Sequence, residues 1–245
     1  MIKLGLIQTR SFSSNEQGIE KVSKILNSLA KKETDVVCLP EQWLKDNQIF
    51  DVSTTFSEFK KIAKNNSMTI VAGAFYLKKK NRFSISAPII GPSGEIIGIQ
   101  NKIHPFGRER GSIKAGTKAL VFKSACRFGV IICYDMIFPQ VAHSLVKKGA
   151  QVLLSPSRIV RRGILPWHIY VQTRALENRI PILAANVQNW RFGGQSVIVD
   201  LVEYKGVMVP KVVKLHGQRA YSRVFNLSKY YESRKERFSD AKAFS

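Results

Sequence analysis

The chain has 245 residues, with 39 Lys and Arg against 17 Asp and Glu, a formal net charge of +22. Its 44% hydrophobic and 10% aromatic content supplies a sizeable core and excludes a disordered or low-complexity chain. No apolar run is long enough to span a bilayer, and the N-terminus turns polar at Gln8 before a signal-peptide core could form. A soluble, cytoplasmic protein is therefore expected.

The chain alternates short β-branched runs with amphipathic stretches, which predicts an α/β fold. Lys3 to Thr9 reads as a buried strand. After Ser13-Ser14-Asn15-Glu16, a capping-type start, Ile19, Val22, Ile25, Leu26 and Leu29 recur at helical spacing. Asp35 to Leu39 reads as a second strand, ending at Pro40-Glu41, and a weaker helix around Phe56, Phe59 and Ile62 leads to a strand from Thr69 to Leu77. Ser84 to Ile90 and Glu95 to Gln100 flank Gly91-Pro92-Ser93-Gly94 as a hairpin. The second half repeats the logic: Arg127 to Cys133 as strand, a helix carrying Val141, Ala142, Leu145 and Val146 with Gly149 as its C-cap, then Gln151 to Ser155 as strand. Leu165 to Asn178 reads as helix, and Ile182 to Asn186, Ser196 to Leu201, Lys205 to Leu215 and Tyr221 to Leu227 as β segments. Two βα-rich halves, each followed by hairpin-like strands, suit two sheets packed together with helices outside. No linker divides the chain, so one domain over 1–245 is expected, with 230–245 as a C-terminal tail.

The positive charge invites a nucleic-acid reading, because Lys and Arg that neutralise phosphates release counterions. Here the charge is spread over both halves. The clusters Lys78-Lys79-Lys80-Asn81-Arg82, Arg158 with Arg161-Arg162, and Arg234-Lys235 with Arg237 are not interleaved with aromatics, and no zinc-finger or helix-turn-helix pattern accompanies them. Nucleic-acid binding is a minority reading. Cys38, Cys126 and Cys133 form no C-x-x-C pair, and the four histidines lie far apart, so neither a disulfide scaffold nor a metal site is expected.

Three strand ends place reactive groups where α/β enzymes commonly put them, at the carboxyl edge of a sheet. They are Glu41 after Val36-Val37-Cys38-Leu39-Pro40, Lys102 after Ile99-Gln100-Asn101, and Cys133 after Gly129-Val130-Ile131-Ile132. Each has a bland reading alone: a surface acid, a solvated cation, an inert small hydrophobe. Together they read as a thiol nucleophile at a strand-to-helix elbow, its pKa lowered by the helix N-terminus, with Glu41 as its base and Lys102 facing a developing oxyanion.

These segments resemble the nitrilase, or carbon-nitrogen hydrolase, superfamily. The matches are Leu39-Pro40-Glu41, Asn101-Lys102-Ile103-His104-Pro105-Phe106-Gly107, and Gly129-Val130-Ile131-Ile132-Cys133-Tyr134-Asp135 with Phe138-Pro139. Further matches are Ser155-Pro156-Ser157, Arg174-Ala175-Leu176-Glu177-Asn178, Ala184-Ala185-Asn186, and Gly193-Gly194 with Ser196, so the resemblance runs to about residue 230. It implies a four-layer α-β-β-α sandwich of two mixed sheets, a Glu41-Lys102-Cys133 triad, and an oxyanion held by Lys102 and the Tyr134 backbone N–H. It also implies a second glutamate before a glycine, here Glu109 ahead of Gly116; the other reading of Glu109 is a loop charge paired with Arg108 or Arg110. The chain departs from many members at Ile137 and Gln140, which stand where Arg and Glu are common.

The resemblance implies an amidase-type hydrolase of a small amide, carbamoyl compound or nitrile, with no cofactor and at least a homodimer. Acyl transfer to an amine and a catalytically idle basic scaffold remain alternatives. Candidate pocket residues are Tyr134, Trp43, Ser157, Trp167 and Asn186, with Trp43 and Trp167 equally readable as core or dimer-contact aromatics. Arg158, Arg161 and Arg162 follow the strand expected beside Cys133, which admits an anionic substrate as well as a solvated basic loop.

Overall fold

A computed structural model describes residues 1–79, 82–217 and 219–240, so Lys80 and Asn81 of the first basic cluster and the end of the tail lie outside it. The first half runs β1 (Ile2–Arg10), α1 (Asn15–Ala30), β2 (Val36–Cys38), β3 (Gln48–Ile49), α2 (Val52–Thr55), α3 (Ser57–Asn65), β4 (Thr69–Val71), β5 (Phe75–Lys79), β6 (Arg82–Ile90) and β7 (Ile96–Asn101). The second runs β8 (Val121–Lys123), β9 (Arg127–Val130), α4 (Pro139–Lys147), β10 (Val152–Ser157), α5 (Ile164–Asn178), β11 (Ile182–Gln188), β12 (Val197–Tyr204), β13 (Val207–Lys214), β14 (Arg219–Phe225) and α6 (Tyr231–Ser239).

The strands build two mixed sheets. In the first, β2 lies parallel between β1 and β4, β14 pairs antiparallel with β1, and β6 pairs antiparallel with β4, β5 and β7. In the second, β9, β10 and β11 are parallel, with β8 antiparallel to β9 and β12 and β13 following β11 as a meander. The sheets meet where Thr9 and Arg10 of β1 pair with Val187 and Gln188 of β11.

The period-2 alternation of the strands separates the layers. Val36 and Cys38 point between the sheets, against Val130, Ile132 and Leu154, whereas Val37 and Leu39 point outward to Val22, Leu26, Phe59 and Ile62 of α1 and α3. In the second sheet Ile131 and Leu153 point outward to Val141, Leu145 and Val171 of α4 and α5. The order is therefore helix, sheet, sheet, helix, as the sequence implies. Ser14 caps α1 by accepting the Gln17 N–H at 3.2 Å.

The strand expected from Thr69 to Leu77 is divided into β4 and β5 at Gly73. That residue has φ +105°, and a Cβ there would strike the Pro40 carbonyl and the Trp43 indole. The break lets Ala74 bridge to Glu41. At the other end of the chain the tail forms α6, where Arg234 donates to the Arg179 carbonyl at 2.9 and 3.1 Å.

Candidate active site

Four residues distant in sequence converge between the two sheets. Glu41 leaves the end of β2 with its backbone N–H donated to the Ser157 carbonyl at 3.2 Å. Lys102 follows β7 and is pinned at both backbone groups: its N–H donates to the Ile85 carbonyl, and its own carbonyl accepts the Gly116 N–H, each at 2.7 Å. Gly116 is required there, because a Cβ would lie 2.7 Å from the Asn101 carbonyl. The Lys102 Nζ stands 3.0 Å from Glu41 Oε1 and 2.9 Å from Glu109 Oε2. Glu109 is itself aimed by the Phe106 N–H, which it accepts at 2.8 Å. Its cation partner is thus Lys102, and among the described residues neither Arg108 nor Arg110 pairs with it.

Lys102 is 1% exposed and Glu41 2%. Burial alone would lower the lysine pKa, but the charges of Glu41, the Cys133 thiolate and Glu109 outweigh it, and the pKa is raised. The lysine is a fixed cation between two acids.

Cys133 packs against the inter-sheet core and opens a single turn of 3-10 helix, Cys133 to Ile137. Its φ of +49° is unusual for a residue with a Cβ, as is the same φ at Gln42, beside Glu41. Such left-handed backbone at a non-glycine residue is held only where the surroundings determine it. The elbow expected from the sequence is present, but the lowered thiol pKa is not. Burial, and after it the negative charge of Glu41, push the thiol pKa up, against the pull of Lys102 and of the Arg158 backbone N–H on the sulfur. One short turn offers too little dipole to offset this. The resting group is a thiol beside Glu41, whose charge disfavours the thiolate.

The sequence reading passed over Asp135. It is buried and accepts the N–H of Ile103 at 3.1 Å and of His104 at 2.7 Å. It also passed over Tyr76 and Gln42: the Gln42 side chain bonds the Tyr76 hydroxyl and accepts from Arg158, and Tyr76 senses the charges of Glu109 and Glu41. Tyr76 gave no signal beyond an aromatic in a strand, whereas Gln42 was legible as the neighbour of Glu41.

Of the candidate pocket residues, Tyr134 follows the cysteine directly and its ring lies against Phe106 and Phe138 at 4.7 and 5.4 Å. Ser157 is buried and lends its carbonyl to Glu41. Asn186 is also buried, with its side chain spent on the Ile159 N–H and the Gly194 carbonyl, each at 2.7 Å, so it clamps two loops. The structure does not bring Trp43 or Trp167 to the thiol. Trp43 packs outside the first sheet among Phe12, Phe59 and Phe75, with its indole N–H on the Ala72 carbonyl at 2.8 Å. Trp167 packs in the outer core of the second sheet.

A four-layer α-β-β-α sandwich of two mixed sheets is the architecture of the nitrilase fold. Residues 3–202 match the carbon-nitrogen hydrolase family, and the chain belongs to that family. Its sequence is 25% identical over 205 residues to omega-amidase NIT2-B of Xenopus laevis, covering 75% of this chain and 74% of that protein. A carbon-nitrogen hydrolase from Helicobacter pylori superposes with a TM-score of 0.84 at 20% identity, covering 98% of this chain and 95% of the other. An amidase from Nesterenkonia sp. AN1, captured with acrylamide added to its active-site cysteine, superposes with a TM-score of 0.76 at 18% identity, covering 98% and 99%. No helix among the described residues is long and apolar enough to cross a membrane, and none of their side chains form a cluster fit to hold a metal ion.

Proposed function

We propose that the protein hydrolyses a small amide to an acid and ammonia through a thioester on Cys133. The observation that carries this reading is the buried Lys102 ammonium held 3.0 Å from Glu41 and 2.9 Å from Glu109 beside Cys133, whose charge acts on Lys102 as that of Glu41 acts on the thiol. Glu41 takes the thiol proton as the sulfur attacks the amide carbon. The developing oxyanion is held by the Lys102 ammonium and the Tyr134 N–H. Glu41 returns the proton to the nitrogen, ammonia leaves, and the acyl group stays on sulfur. Water gives a proton to the same carboxylate, attacks the thioester and releases the acid and the thiol.

A raised thiol pKa suits this sequence of steps. A thiol protonated at rest needs a base at hydrogen-bonding distance, and Glu41 is that base. Glu109 anchors the lysine from its other side, so Lys102 is not drawn wholly to Glu41 and keeps a proton for the oxyanion. The same groups serve a nitrile carbon; the amidase relatives favour the amide. Three free cysteines suit a reducing cytoplasm. An exposed apolar stripe on α5, with Leu165 70% and Ile169 54% exposed, supports a homodimer.

The test is an ammonia-release screen over short amides, N-carbamoyl compounds and nitriles, run beside Cys133→Ala. Turnover lost in a folded Cys133→Ala is expected. Undiminished turnover in that variant, or no release by the parent protein alongside salt-sensitive binding of DNA, overturns the reading in favour of a basic scaffold.

A further inference from the structure

We propose that Arg158, backed by Arg191, forms an anion subsite beside Cys133, and that the acyl part of the substrate therefore ends in a carboxylate. The proposal rests on the amidase reading and names its substrate class.

Residue 158 follows the last residue of β10 and touches both halves of the reacting centre. Its backbone N–H is directed at the Cys133 sulfur, and the preceding carbonyl, that of Ser157, holds the Glu41 N–H. The guanidinium donates to Gln42 Oε1 and lies 4.3 Å over the Phe192 ring. Arg191 lies 5.6 Å from the centre of the same ring. Two cations thus lie against one aromatic ring, and among the described residues neither forms an ion pair. Arg158 Nε is moreover buried with no hydrogen-bond partner.

Each of these features has a cost. A buried N–H without an acceptor loses its hydration and gains nothing. Two neighbouring cations repel, and burial of Arg158 penalises its charge. A carboxylate answers the charge, because it accepts a charge-assisted bond from Nη2, which Gln42 leaves free, and neutralises the excess. Gln42 and Phe192 hold the guanidinium plane in advance, so little ordering is left for binding. The neighbouring cations are not equivalent. Arg161 spends its guanidinium on the carbonyls of Trp190 and Asn189, at 3.0 and 2.8 Å, and Arg162 is exposed.

The experiment compares succinamic acid with butyramide, its neutral counterpart of equal length, and measures succinate protection of Cys133 against iodoacetamide in the same preparations. In Arg158→Gln the ratio of kcat/KM for succinamic acid over butyramide should fall roughly 10- to 100-fold, through KM, with partial rescue in Arg158→Lys. Succinate should slow alkylation of the parent protein but not of Arg158→Gln. An unchanged ratio with turnover intact, or equal protection of both proteins, overturns the subsite and leaves the amidase standing. Arg158-dependent protection with no ammonia from either amide supports the subsite and sinks the amidase reading instead.

Discussion

His104 donates its backbone N–H at 2.7 Å and its ring Nδ1 at 2.9 Å to one carboxylate, that of Asp135, two residues beyond the cysteine. The ring also stacks on Phe138 with centroids 3.6 Å apart. The segment carrying Lys102 is thereby locked to the turn carrying Cys133. Burial pushes the Asp135 pKa up, against the pull of its three donors. In Asp135→Ala these donors lose their acceptor, which should cost about 2 to 4 kcal/mol in urea denaturation. Ammonia release should fall through kcat more than KM, since Lys102 loses its position and the substrate contacts remain. A KM effect alone would assign Asp135 to binding.

Lys102 neutralises two carboxylates at once, so the two ends of this network should respond unequally. Lys102→Met leaves Glu41 buried beside Glu109 with no cation between them, and a loss of about 3 to 5 kcal/mol is expected by chemical denaturation. Glu109→Gln keeps a hydrogen-bond acceptor at a partly exposed position, with 16% of the side chain accessible. It should cost under about 1 kcal/mol yet lower kcat by roughly 10- to 100-fold, because a preorganised charge contact to the oxyanion donor is weakened.

Glu41 raises the thiol pKa of Cys133 and in the proposed mechanism is also its base. The two roles separate in Glu41→Gln. Turnover should vanish, while the thiolate, followed by ultraviolet absorbance against Cys133→Ala, should form at lower pH than in the parent protein. A midpoint moving upward would mean that Glu41 stabilises the thiolate instead.

If Leu165 and Ile169 pair two copies through α5, Ile169→Glu should convert the dimer to a monomer in sedimentation equilibrium. The residue is 54% exposed in one chain, so folding should be unaffected. A parent protein already monomeric at micromolar concentration removes the homodimer from the proposal.

The alternation of Val36-Val37-Cys38-Leu39 and Val130-Ile131-Ile132 made the layers legible, because each strand is apolar on both faces and so demands cover on both. Glu41, Lys102 and Cys133 were legible as strand ends followed by turn residues. Hidden from such reading was anything set by backbone the chain reaches only when folded: the left-handed φ at Gln42 and Cys133, the break at Gly73, and the capture of Ile103 and His104 by Asp135 across 32 and 31 residues. The sign of the thiol shift was missed for the same reason. A helix start is visible in sequence, whereas burial and the approach of Glu41 are tertiary. Trp43 was misleading because proximity in sequence to Glu41 does not survive the turn at Gln42, whose left-handed backbone separates the two and leaves the indole in the outer core.

The helix α6 has no fully buried side chain; near its end Phe238 packs on the outer core and stacks on His143 with centroids 4.8 Å apart. Its start is held as well. Asp200 of β12 accepts from Lys229 at 2.8 Å and from the Tyr230 hydroxyl, and pairs with Arg223 at 3.1 Å. Burial would raise the Asp200 pKa, but the Lys229 and Tyr230 hydrogen bonds and the Lys229 and Arg223 charges outweigh it, and the pKa is lowered from its ordinary 3.8. For a carboxyl whose folded pKa is depressed, the stabilisation is present above the ordinary value and is lost as pH falls through the folded one. Protection of the amides of residues 231–239, measured against their intrinsic exchange rates, should therefore be retained at neutral pH and fall below about pH 4. In Asp200→Asn, protection should be low already at neutral pH and nearly flat with acid. A pH profile shared by parent and variant would place the anchor elsewhere, at Arg234 on the Arg179 carbonyl.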